Sequence, residues 1–159
     1  MKNSKVNPKK LISLAVVAIA IQLVSFASFA QQKGNDALNG LWKSTENNLE
    51  VRVFNKGGIV YAKLESFPCS HASKLTMRQH LDDQNPIASL RSRSWLDILV
   101  LTGLKLEETN KWSGGQIYSP NDGKTWSASV TLLSDKKLEV RGYWGIEFFG
   151  KSMYFNKVQ

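Results

Sequence analysis

From residue 124 to residue 132, Trp126, Ala128, Val130 and Leu132 alternate with Thr125, Ser127, Ser129 and Thr131. A period of two belongs to a strand with one face on a core, so this stretch reads as half-buried with its hydroxyls outward. Ser134, Asp135, Lys136 and Lys137 then form a polar turn. Beyond it Leu138, Val140, Gly142 and Trp144 alternate with Glu139, Arg141 and Tyr143, which makes the two segments a hairpin. A last strand over residues 149–157 sets Met153 and Phe155 against Ser152 and Tyr154. Upstream, residues 41–45, 49–55 and 59–65 are strand candidates parted by turn-like Glu46-Asn-Asn48 and Lys56-Gly-Gly58. Residues 97–107 are too apolar for periodicity to separate a strand from a buried helix. With residues 114–118 the count is about eight short strands, which suits a small, all-β, antiparallel β-barrel whose closure removes exposed edges.

Two features interrupt that grammar. Residues 66–96 contain Pro68 and Pro86, are rich in polar side chains and keep no period, so they read as one long irregular excursion with a short helix near residues 74–81. Gly57-Gly-Ile-Val-Tyr61 and Gly114-Gly-Gln-Ile-Tyr118 share a pattern, read here as two turn-to-strand entries using the same glycine chemistry.

The first thirty residues have a different character. Lys2, Lys5, Lys9 and Lys10 precede an almost wholly apolar run over residues 11–24, and Ser25-Phe-Ala-Ser-Phe-Ala30 ends in small residues. This is the pattern of a secretory signal cleaved after Ala30, the apolar run being shorter than the roughly 20 residues of a spanning helix. The expected mature domain is therefore residues 31–159, periplasmic, with no membrane span.

Cleavage also lowers the charge. The chain has 21 Lys and Arg against 13 Asp and Glu, and removing the four leader lysines leaves 17 against 13. The remaining basic residues are scattered among acids, with Arg78, Arg91 and Arg93 the one local concentration, so nucleic acid is not an expected partner. Cys69 is the only cysteine, which excludes an intrachain disulfide. It also lies far from the cleavage site, so no lipid anchor is expected there.

Sites for chemistry are sparse. Gly123-Lys-Thr125 looks like the end of a phosphate loop, but the position five residues before Gly123 is Tyr118, and a strand rather than a helix follows. Pro120-Asn-Asp-Gly123 instead has the order of turn formers, with Gly123 suited to a left-handed bulge position. Cys69, His71 and His80 match no strong metal spacing, so no metal or cofactor is expected. Ser70, His80 and Asp82 show no nucleophile elbow. The pairs Asp82-Asp83 and Glu107-Glu108 lie in polar segments and read as solvated. No catalytic residues are assigned, and an enzyme ranks last among the readings.

The segment Trp112-Ser-Gly-Gly-Gln-Ile-Tyr-Ser-Pro-Asn-Asp-Gly-Lys-Thr-Trp126, with Leu138-Glu-Val-Arg-Gly-Tyr-Trp-Gly145 and Phe149-Gly-Lys-Ser-Met-Tyr-Phe155, closely resembles the C-terminal half of the DUF2147 family of exported bacterial proteins. Gly40-Leu-Trp42 looks like the Gly-x-Trp that opens that domain and resembles the opening of lipocalins. Family members often carry two cysteines in the central loop, where this chain has Cys69 alone. The resemblance implies an exported, lipocalin-like barrel and implies no particular activity.

The leading functional expectation is a non-enzymatic binding module for a small apolar or amphipathic molecule. Trp42, Tyr118, Trp126, Val130, Val140 and Trp144 are its candidate ligand-binding residues, with Trp126, Val130, Val140 and Trp144 pointing inward. The alternative is a factor of the cell envelope that binds another protein through the excursion with Arg91 and Arg93, or through Tyr143 and Arg141.

Overall fold

The computed structural model describes residues 34, 36–47, 49–68, 77–96 and 98–158. The expected leader over residues 1–30, Cys69 and His71 lie outside the described residues. Eight antiparallel strands follow in chain order: β1 (Gly40–Ser44), β2 (Glu50–Lys56), β3 (Ile59–Ser66), β4 (Leu99–Glu108), β5 (Lys111–Ser119), β6 (Lys124–Ser134), β7 (Lys137–Tyr143) and β8 (Lys151–Lys157). Each pairs with its neighbour in sequence, and β1 pairs with β8 through Trp42↔Lys157, Lys43↔Asn156 and Ser44↔Phe155. The sheet is thus a closed up-and-down barrel, as the period-two pattern led us to expect.

The hairpin read from residues 124–144 is present, with Val130 opposite Val140 and Leu132 opposite Leu138. Ala128, Val130, Leu132, Leu138 and Val140 are buried, so the alternation places the correct face inward. Of the ambiguous residues 97–107, those from Leu99 onward prove to be strand, within β4. Their alternation is hidden by a bulge at Gly103, whose φ is +79°: Val60 pairs with Leu104 while Ala62 pairs with Leu101, so three residues of β4 match two of β3. A second bulge lies at Gly114, φ +70°, between the pairs Trp112↔Val130 and Gly115↔Ala128. The two Gly-Gly segments therefore differ. Gly57 and Gly58 make the β2–β3 turn, whereas Gly114 and Gly115 lie inside β5, where the bulge resets which residues face the interior.

Antiparallel order puts all the short connections at one end of the barrel and all the long ones at the other. Residues 57–58, 109–110 and 135–136 turn at the first end, closed from below by Leu38, which is buried. Trp42, fully buried, donates its indole N–H to the Leu38 carbonyl at 2.7 Å, and the Lys157 ammonium lies 5.2 Å from its ring centroid. At the second end gather the 45–49 loop, the long excursion, the 120–123 turn and the 144–150 loop.

Gly115 sits where bulged β5 lies against bulged β4. A Cβ added there would lie 2.7 Å from Leu104 side-chain carbons and 2.8 Å from the Thr102 carbonyl oxygen. The backbone contact cannot be relieved by a rotamer change, so Gly115→Val should destabilise the barrel by about 1–3 kcal/mol or more, the usual cost of overpacking. Urea denaturation of the two proteins measures this, and an unchanged midpoint would contradict it.

Candidate ligand-binding chamber

The barrel encloses a cavity of about 650 Å³. Its walls come from the inward positions of β2, β3, β6 and β7: Val51 and Val53, Val60, Ala62 and Leu64, Trp126 and Val130, Leu138 and Val140. Trp42 and Phe155 contribute towards the closed end, and Leu49, Phe67, Trp95 and Met153 towards the loop end. Asn47, Ser119 and Asn121 add a few polar atoms, the Tyr118 ring adds apolar surface, and Lys151 is the single charged side chain among the described lining residues. An apolar chamber with a few convergent polar groups is the usual form of a small-molecule site, and its size lies in the usual range of roughly 300–1,000 Å³.

Five of the six candidate residues border this chamber: Trp42, Tyr118, Trp126, Val130 and Val140. Trp144 does not. The inward phase of β7 runs through Leu138, Val140 and Gly142, but the strand ends at Tyr143, and Trp144 turns away from the barrel to stand 81% exposed. Tyr118 is on the opposite phase from Ile117, and its hydroxyl is engaged outside the chamber. Sequence reasoning passed over Ile117, Phe67, Trp95 and Met153. The alternation in 149–157 marks Met153, whereas the bulge at Gly114 shifts the phase that would have marked Ile117.

The excursion is fastened over the loop end. Phe67 turns inward, and the backbone returns to the sheet where the Leu64 N–H donates to the Ile98 carbonyl at 2.9 Å. Between these points residues 80–82 pair with 93–95: Trp95 N–H to His80 O at 2.8 Å, Asp82 N–H to Arg93 O at 3.0 Å, and a bridge between Leu81 and Ser94. Phe67, His80 and Trp95 pack ring on ring, with centroids 5.0–5.5 Å apart. Of the helix expected near residues 74–81, the described part is a single 3-10 turn, Met77–Gln79.

Asp82 is the hub of this region, and it corrects the expectation of a solvated acidic pair. Asp83 is exposed, but Asp82 is 0% exposed, and its carboxylate is shared among three donors. Arg93 reaches it at 2.8 and 2.9 Å, Asn85 donates at 2.7 Å, and the Tyr118 hydroxyl donates to the other oxygen. Asn85 also donates to the Tyr118 oxygen at 2.9 Å and accepts from the Ile87 N–H at 2.8 Å, while Arg91 donates to the Asn85 carbonyl at 2.7 Å. A buried carboxylate is tolerated when its partners are this complete. Arg91 and Arg93, read as surface groups for a partner, are thus tied to their own excursion. Arg141 is similarly engaged, donating to the carbonyls of Glu147 and Phe148 and to Ser152, each at 2.8 Å.

The turn that ends in Gly123-Lys-Thr125 seats the excursion. Ser119 pairs with Lys124 across Pro120-Asn-Asp-Gly123, the Gly123 N–H donates to the Ser119 carbonyl at 2.9 Å, and Gly123 has φ +68°. A Cβ at Gly123 would fall 2.0 Å from the Gln84 carbonyl oxygen. Glycine is needed here to let two loops touch; no phosphate cradle is formed. Among the described residues no cluster of three or more His, Cys, Asp or Glu could hold a metal, and no helix is long and apolar enough to cross a membrane.

The comparisons with known proteins agree with this geometry. Residues 40–157 match the family described as "Uncharacterized protein conserved in bacteria (DUF2147)". The chain belongs to the DUF2147 family. Its fold is similar to a solved structure described as "Protein HP1028 from the human pathogen Helicobacter pylori belongs to the lipocalin family", with a TM-score of 0.67 and 25% sequence identity, over 77% of this chain and 83% of that one. A search of curated proteins finds no match. The DUF2147 chain described here is accordingly a lipocalin-like barrel, as the Gly40-Leu-Trp42 opening implied.

Removing the shared acceptor should release the excursion. Asp82→Ala is expected to cost about 2–3 kcal/mol, less than the 3–5 of a wholly buried pair because Arg93 is 39% exposed. Hydrogen exchange within residues 77–96 should rise well above that of the strands, and uniform exchange would refute the assignment.

Tyr118 adds a dependence on pH. Burial, then the hydrogen bond and negative charge of Asp82, push its phenol above the ordinary value. The fold therefore favours the protonated phenol, and that stabilisation is complete below the ordinary value of about 10 and lost as pH rises through the raised one. As pH rises above about 10, wild-type stability should fall more steeply than that of Tyr118→Phe; parallel denaturation curves would contradict this.

Proposed function

We propose that this DUF2147 protein is an exported binding module that carries a small apolar or amphipathic molecule inside its barrel. The observation that carries the reading is the chamber of about 650 Å³, walled by aliphatic and aromatic side chains within a closed sheet. An apolar guest gains by leaving water at roughly 25 cal/mol per Å² of buried surface, and the walls offer it little competition from charge. Asn47, Ser119, Asn121 and Lys151 would receive a polar end near the loops, which suits an amphiphile lying along the barrel axis. The described part of the excursion would then act as a fixed cover rather than as a free recognition loop. Export rests on the leader pattern in the first thirty residues: four lysines, an apolar run and a small-residue cleavage site.

Two measurements test this. Native mass spectrometry of gently purified protein should show an added mass that disappears on denaturation. Val130→Phe, which places a ring in the chamber, should weaken binding of the uncharged fluorescent probe N-phenyl-1-naphthylamine by about tenfold or more, since even a partly excluded aromatic guest forfeits more than 1.4 kcal/mol. Equal probe binding by the variant, together with a clean apo mass for the wild type, would overturn the proposal.

A further inference from the structure

The connection between β7 and β8 is built inside out. Its sequence, Trp144-Gly-Ile-Glu-Phe-Phe-Gly150, is mostly apolar, yet Trp144 is 81%, Ile146 65%, Phe148 80% and Phe149 78% exposed. Its one charged residue, Glu147, points the other way, onto the outer wall of the barrel. There its carboxylate accepts from the Ser129 hydroxyl and from the Lys111 ammonium at 3.4 Å, and this contact is what buries the outward-facing Ser129. Arg141 grips the same loop through the Glu147 and Phe148 carbonyls. Gly150 completes the return, since a Cβ there would lie 2.8 Å from the Gly142 carbonyl oxygen and 2.9 Å from the Tyr143 Cβ. The loop is therefore fixed in place, with every polar hold on its inner side and four large apolar side chains on its outer side.

We infer that this loop docks the protein on a lipid surface bearing anionic headgroups, inserting Trp144, Ile146, Phe148 and Phe149 into the headgroup and acyl boundary. Three observations select that occupant over a second protein. First, the outer side of the loop carries no carboxylate, because Glu147 is turned inward, whereas exposed Lys151 follows directly, and without the four leader lysines the chain still has 17 Lys and Arg against 13 Asp and Glu. Lysine beside exposed aromatics is the composition of an interfacial anchor. Second, side chains about four-fifths exposed project from the wall and suit a soft medium better than a flat protein face. Third, the patch is four side chains on one short loop, against the roughly 20–30 residues a side of a standard protein interface. The loop stands at the barrel end where Lys151 and Met153 border the chamber, so docking would bring that end to the bilayer. The inference does not depend on what the chamber holds.

The test uses the full chain and a local readout, so that attachment through the apolar run in residues 11–24 cannot imitate it. Of the five tryptophans, Trp42 and Trp112 are buried, Trp95 and Trp126 are half-buried, and Trp144 alone is exposed. Subtracting the emission of Trp144→Ser from that of the wild type isolates its signal. With vesicles of phosphatidylglycerol and phosphatidylcholine brominated in the acyl chains, that signal should shift to the blue and be quenched. Most of the quenching should be lost in Phe148→Ser/Phe149→Ser, with an unchanged thermal midpoint confirming that the barrel stands. Trp144 left solvated and unquenched on vesicle-bound protein would overturn the proposal. So would a Trp144 already shielded without vesicles, which would assign the patch to a second copy if sedimentation shows a dimer and to another segment of the chain if it shows a monomer.

Discussion

The seam between β1 and β8 is the constraint on which the rest of the structure depends. Three residue pairs, Trp42↔Lys157, Lys43↔Asn156 and Ser44↔Phe155, convert an eight-strand meander into a tube. An open sheet of the same strands would expose two edges and leave its apolar face half covered. Closing it gives each inward side chain neighbours on all sides and creates an inside that can be left partly empty. Trp42 contributes twice, since it stands in the seam and also bonds through its indole to Leu38, the residue that stops the closed end. The chamber therefore depends on one short strand and one buried indole more than on any residue that touches its middle.

Much of this fold was legible because a half-buried strand repeats every two residues, and β7, β8 and β6 as far as Leu132 keep that repeat without a break. Legibility failed where the backbone departs from the repeat. Gly103 and Gly114 each insert one residue into a strand, so Leu101 and Leu104 face the same interior although they are three apart, and so do Trp112 and Gly115. A bulge leaves only a glycine as its trace in the sequence, and a glycine reads equally well as a turn. Trp144 was misplaced by a related failure. Alternation predicts the face of a residue only while the strand lasts, and β7 ends one residue before it.

The site divides along the same line. Trp126, Val130 and Val140 could be named from pattern because they belong to regular strands. Phe67 and Trp95 could not, since they sit where an irregular segment folds back over the barrel. Asp82 shows the physical reason. Nothing in Asp82-Asp83 distinguishes a buried carboxylate from a solvated one; the difference lies in Arg93, Asn85 and Tyr118, which converge from up to 36 residues away in sequence. Burial of a charge is a property of its partners, and partners distant in sequence carry no local periodicity.

The two long connections at the loop end solve opposite problems with the same chemistry. The excursion buries the carboxylate of Asp82 and surrounds it with donors. The β7–β8 loop also places its charged group inside, against Ser129 and Lys111, and thereby turns its apolar side chains out. In each case a carboxylate and an arginine help to fix an irregular backbone: Asp82 with Arg93 in the excursion, and Glu147 with Arg141 in the loop, where the guanidinium takes the carbonyls instead of the acid. Such fixing matters because about 1–2 kcal/mol of backbone entropy per residue opposes ordering a loop, and exposed aromatics return nothing while they face water. A chain that stabilises an outward-facing Trp-Ile-Phe-Phe surface through a dedicated inner clasp has ordered that surface before any partner arrives. The partner then meets a pre-organised apolar face and keeps more of the binding free energy.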